Sequence, residues 1–101
     1  MKTERGKVEG DLLVNSDFTL HGMVTGSIRV LNGGNLNLHG MCCKDLIIEN
    51  GGFANVPGMV SGNVTNQGGT LSISGMICGQ LFKLSGQTQI LPGSSINGIK
   101  D

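Results

Sequence analysis

Tyrosine and tryptophan are absent from this 101-residue chain, and phenylalanine occurs three times. Enzyme pockets and nucleic-acid platforms lean on aromatic faces, so this poverty weighs against both. Charge of either sign is not in surplus: seven Lys and Arg offset seven Asp and Glu. A phosphate backbone calls for a basic excess, so no nucleic-acid partner is expected. No apolar run approaches the ~20 residues of a membrane helix, so no integral membrane segment is expected. The opening Met1-Lys2-Thr3-Glu4-Arg5-Gly6 has no apolar stretch behind it and does not read as a secretory signal. Proline is scarce too, with two residues, so the 18 glycines do not mark a Pro/Gly-rich disordered chain. Cys42, Cys43 and Cys78 are odd in number, two of them adjacent. That suits a reduced, cytoplasmic chain better than a disulfide framework.

What the chain does have is a repeat. The tripeptide x-Gly-Met recurs as His21-Gly22-Met23, His39-Gly40-Met41, Pro57-Gly58-Met59 and Ser74-Gly75-Met76, its glycines 18, 18 and 17 residues apart. Columns of like residues run alongside. One is Val8, Val24, Cys42, Val60, Ile77 and Ile96. Two residues on stand Gly10, Gly26, Lys44, Gly62, Gly79 and Gly98, and two further on Leu12, Ile28, Leu46, Val64 and Leu81. Late in each repeat come Leu20, Leu38, Val56, Ile73 and Ile90, with Phe18, Leu36, Ala54, Leu71 and Thr88 two before them.

The apolar positions step by two, which is strand alternation with one face turned inward. Glycine pairs at Gly33-Gly34, Gly51-Gly52 and Gly68-Gly69, preceded by Asn32, Asn50 and Gln67, supply corners where positive φ is expected. The pattern predicts two strands and two corners per repeat. Strands that return to one register every 18 residues stack in parallel, about 4.8 Å per coil, giving a rod about 25 Å tall. The fold class is therefore all-β: a single-stranded parallel β-helix of five to six coils. Residues 1–4 are set apart as a short N-terminal extension and residues 5–101 as the β-helix domain. The hexapeptide helix of acyltransferases also has 18 residues per coil. Stepping by six from Leu20, however, gives Gly26, Asn32, Leu38, Lys44, Asn50 and Val56, where only every third residue is aliphatic.

The motif G-x-V-x-G-x-I stands here as Gly6-Lys7-Val8-Glu9-Gly10-Asp11-Leu12, and again from Gly22, Gly58 and Gly75. In this the chain resembles the bactofilins, bacterial polymer-forming proteins, over roughly residues 5–99. The resemblance implies a right-handed helix, end-to-end assembly without nucleotide, no catalytic residue and a place in the cytoplasm, with the inner membrane as a peripheral site.

Other constellations are thinner. His21 and His39 share a column on adjacent coils, about 5 Å apart at the strand spacing, but the column continues with Pro57 and Ser74. A zinc site wants three or four ligands, so no metal and no cofactor is expected. Cys43 with His39, oriented by Asn37 or Asp45, could be written as a catalytic arrangement, yet no spacing demands it. The column Met23, Met41, Met59 and Met76 is open to two readings, stacked packing or an adaptable binding stripe. Between Asn50 and Phe82 no Lys, Arg, Asp or Glu occurs, and charge depletion characterises the centre of protein interfaces.

With no capping helix in the sequence, the coil ends are expected to meet another copy or a partner. The reading is a non-catalytic protein-binding solenoid, most simply a scaffold that self-assembles through its ends into a homo-oligomer or polymer. Interaction is expected at Met23, Met41, Met59, Met76, Phe82 and Ile99. The alternative is a small inhibitor, such as an immunity protein that blocks a toxin enzyme. A metal-binding or enzymatic β-helix is the remote third.

Overall fold

The computed structural model describes residues 2–100. Among these there is no helix. In chain order the strands are β1 (Lys2–Glu4), β2 (Lys7–Val8), β3 (Leu12–Val14), β4 (Asp17–Leu20), β5 (Met23–Val24), β6 (Ile28–Val30) and β7 (Asn35–Leu38). They continue with β8 (Met41–Cys42), β9 (Leu46–Ile48), β10 (Phe53–Val56), β11 (Met59–Val60), β12 (Val64–Ile73), β13 (Met76–Ile90) and β14 (Ser95–Lys100).

Every pairing is parallel, and together they wind a β-solenoid of about five turns, ~18 residues each. The pairings sort into three faces. The first carries β1, β4, β7, β10 and the parts of β12 and β13 at residues 70–73 and 87–90. The second carries β2, β5, β8, β11 and the segments at 76–77 and 95–96. The third carries β3, β6, β9 and the segments at 64–66, 81–82 and 99–100.

Each coil thus has three strands where the sequence pattern suggested two. The G-x-V-x-G-x-I motif bends in its middle at Gly10, Gly26 and Gly62, so it contributes to two faces, and at Gly79 the continuous β13 passes from one face to the other. The Asx residue after this bend fastens successive coils. Asp11 Oδ1 accepts from the Ser27 N–H, Asp45 Oδ1 from Asn63 N–H and Asn63 Oδ1 from Gln80 N–H, each at 2.9 Å. Residues 2–4 form β1 and pair with β4. Gly98 pairs with Gln80 and not with Gly79, because the register slips between Ile77 and Gln80.

The apolar columns do stack as read. Val8, Val24, Cys42, Val60, Ile77 and Ile96 lie in one register ladder. Leu12, Ile28, Leu46, Val64 and Leu81 lie in another, which Ile99 extends. Their side chains fill the interior, and each fully buried aliphatic contributes about 2 kcal/mol of burial free energy. One inward column escaped the sequence reading: Val14, Val30, Ile48 and then Asn66.

The corner glycines act in two ways. Gly33 and Gly51 adopt φ of 85° and 84°, the left-handed region that glycine occupies without cost. No non-glycine residue among those described has positive φ, so Asn32 and Asn50 do not share that role. The x-Gly-Met glycines have ordinary φ, and close approach requires them instead. A Cβ on Gly40 would fall on the carbonyl oxygen of Gly22, which is held there by its bond to Met41 N–H at 3.0 Å.

Candidate protein-binding surfaces

The six residues singled out from sequence fall in three places. Met23, Met41, Met59 and Met76 form one unbroken ladder along the second face. Each follows its corner glycine, and its N–H is bonded to the glycine carbonyl of the coil before. That fixes the backbone and leaves the side chain on the outside of the corner. The first three are half-buried and Met76 is 45% exposed. The ladder is therefore neither fully core nor free surface. The Cys78 and Met76 sulfurs lie 3.9 Å apart at its end.

Phe82 is half-buried on the outer side of the third face, in the row of Leu13, Arg29, Ile47 and Thr65 and next to the inward Leu81. Ile99 is at the end of the rod. Its column partner one coil earlier, Leu81, is fully buried, whereas Ile99 is 48% exposed. Ile90 repeats the relationship. It follows the fully buried Ile73 in register and is 40% exposed. Sequence reasoning missed Ile90, although its place in the Leu20 column on the last coil marked it as clearly as Ile99. The opposite end differs. There Glu4 pairs with Leu20 in register, so a carboxylate, half-buried, stands at the end of an inward column.

The His21 and His39 rings stack at 5.0 Å between centroids with planes 13° apart, both residues exposed. Among the described residues, no three His, Cys, Asp or Glu gather as a metal would need. Asp45, weighed as an orienter for Cys43 and His39, is occupied by the Asn63 N–H. Cys42 is buried in the core, its Sγ 3.5 Å from the carbonyls of Gly26, Lys44 and Asp45. Burial pushes its thiol above the ordinary range. It is thus a poor nucleophile.

Among the described residues, Arg29 pairs with Glu49 at 2.8 Å and Lys7 with Glu9 at 3.9 Å at the surface. Both lie outside the uncharged stretch from Asn50 to Phe82, which crosses all three faces. No helix among the described residues is long and apolar enough to cross a membrane. A scan against protein-family models, a search of curated proteins and a search of solved structures each returned no match to the chain.

Proposed function

We propose that the protein is a non-catalytic scaffold that assembles with its own copies through the apolar end of the solenoid, in the manner the bactofilin resemblance implies. One observation carries this reading: Ile90 and Ile99 are exposed in columns whose preceding members, Ile73 and Leu81, are fully buried. A second copy laid on this end would extend the columns by one coil and bury the isoleucines. The two ends are not alike, since Glu4 occupies the column position that an incoming Ile90 would meet at the other end. Like end on like end is therefore the favoured contact, a two-fold arrangement in which the same residues face each other. Neither catalysis nor a cofactor enters this role, and its natural setting is the cytoplasm.

Sedimentation and light scattering across a concentration series test the proposal. Assemblies larger than one chain are expected, and Ile99→Lys should disperse them while Leu13→Lys, an exposed position on the first coil, should not. A monodisperse monomer at high concentration would overturn it.

A second reading is favoured by the methionine ladder and the uncharged stretch beside it. A rigid, neutral face with adaptable side chains suits a small inhibitor, for example an immunity protein, that binds one partner one-to-one. That reading predicts a tight complex weakened by Met41→Glu or Met59→Glu and indifferent to Ile99→Lys. A metal-binding or enzymatic solenoid is the remote third, and stoichiometric metal lost on His21→Ala would be its signature.

A further inference from the structure

The outer side of the first face carries no charge over its last four coils. In register, one row runs Asn35, Phe53, Thr70 and Gln87. Beside it, one residue to the other side of the inward column, a second row runs from Asn37 to Gln89. A groove of about 950 Å³ lies over these two rows. None of the residues lining it is charged. The strands carrying Asn35, Phe53 and Thr70 are held by parallel ladders on both sides, so their rows are fixed in advance of any ligand, while the segment at 87–90 is held on one side.

The chemistry of the rows is specific. Phe53 is 49% exposed near the middle of the groove. Of the three phenylalanines, Phe18 is buried and Phe82 half-buried on another face, so Phe53 is the only exposed one. Around it stand amides and hydroxyls, among them Asn55 and Ser72, whose side chains make no hydrogen bond among the described residues. An aromatic face flanked by amide donors and acceptors is complementary to a pyranose ring. The ring's C–H face lies on the phenyl group and its hydroxyls meet the amides, which both donate and accept. A nucleic acid would need cations and several stacking rings, and the groove has neither. A peptide docked through its side chains would need apolar pockets, where the outward rows offer a single ring. Adjacent positions in a row are about 4.8 Å apart, so the four coils offer about 14 Å along the axis. That accommodates a short linear oligosaccharide.

We propose that this groove binds a neutral oligosaccharide, with Phe53 as the stacking platform and Asn37, Asn55 and Gln89 hydrogen-bonding its hydroxyl groups. The site lies on the flank of the rod, with Gln87 and Gln89 bordering Ile90 at the proposed assembling end and Asn37, Phe53 and Asn55 one coil or more away from it. Titration calorimetry on the full chain tests it, using cellotetraose, chitotetraose and maltotetraose as neutral probes and tetragalacturonate as the acidic one. Saturable binding to at least one neutral probe is expected, with weaker or no binding of the acidic one. Phe53→Ala should weaken it by roughly tenfold, and Asn55→Leu should also reduce it. Phe82→Ala, on the third face, should leave the affinity unchanged. Circular dichroism of each variant separates lost binding from lost fold. No binding of any neutral probe, unchanged affinity in a folded Phe53→Ala chain, or tighter binding of tetragalacturonate would each overturn the proposal.

Discussion

The Asn66 side chain donates to the Gln87 carbonyl at 2.9 Å and to the Thr88 hydroxyl at 3.0 Å, one coil further on. Its Oδ1 accepts from the N–H groups of Gly68 and Gly69 at 3.2 and 2.9 Å. The residue is fully buried in a column otherwise made of Val14, Val30 and Ile48. The ladder between the two last full coils slips at this point, with register shifts on either side of Gln67. Asn66 thus supplies by side chain the bonds that the slipped backbone does not.

Asn66→Val tests that role. Valine matches the column in shape but leaves the partners of four hydrogen bonds without the amide. Buried groups left unpaired cost about 1–3 kcal/mol each when water cannot reach them, so a net loss of about 2–4 kcal/mol is expected. Urea unfolding at unchanged m-value measures it. A loss under about 0.5 kcal/mol would mean that the column prefers an aliphatic residue and that the amide network contributes little net.

Gly40 and Gly98 should respond oppositely to alanine. The Gly40 Cβ would meet the Gly22 carbonyl, backbone that the coil beneath cannot move. At Gly98 the nearest atoms are the far end of the Gln80 side chain, from 3.4 Å outward. Gly40→Ala is expected to cost about 3 kcal/mol or more, as overpacking against fixed backbone does. Gly98→Ala should stay within about 1 kcal/mol of the parent. Thermal unfolding of the two variants side by side checks this, and equal losses would contradict the stacking of corner on corner.

Cys42 makes stability fall at alkaline pH. Burial raises its thiol above the ordinary value, so the folded chain holds the proton more tightly than the unfolded one. As pH climbs past the unfolded thiol value, about 8.5, the unfolded chain loses its proton first. Stability then declines until pH passes the folded value, and below about 8.5 this group contributes no slope. Cys42→Val, which restores the residue found at Val24 and Val60 in the same column, should remove that part of the slope at little cost near neutrality. In the folded chain a thiol reagent should modify the exposed Cys78 first, Cys43 next and Cys42 last.

The columns of Val8, Leu12, Leu20 and Phe18 were legible in the sequence because an inward position on a stacked coil tolerates only a narrow range of side chains. Periodicity therefore reports register directly. The third strand per coil was not legible. The second-face strands are two residues long in the early coils, as at Met23–Val24, too short to show an alternation of their own. The column of Val14 escaped for another reason: Asn66 and Lys83 break its apolar run, and the physical cause of the first exception is a hydrogen-bond network between residues 21 and 22 apart. The groove over Phe53 was equally hidden. Outward rows obey no hydrophobic rule, and Asn35, Phe53 and Thr70 become neighbours only once the coils are stacked.

Ile73 and Ile90 provide the sharpest test of the assembling end, since they occupy one column a single coil apart. Ile73→Ala removes buried atoms and should cost about 3 kcal/mol regardless of protein concentration. Ile90→Ala removes the same atoms from a side chain that is already 40% exposed, so in a lone chain it should cost well under half as much. If the end is a contact between copies, the Ile90→Ala deficit must grow with concentration, because the parent gains stability by mass action and the variant does not. Chemical unfolding at two concentrations a hundredfold apart reads this directly. An Ile90→Ala deficit that is small and identical at both would show that copies do not meet there, and would leave the lateral faces as the surfaces by which the molecule acts.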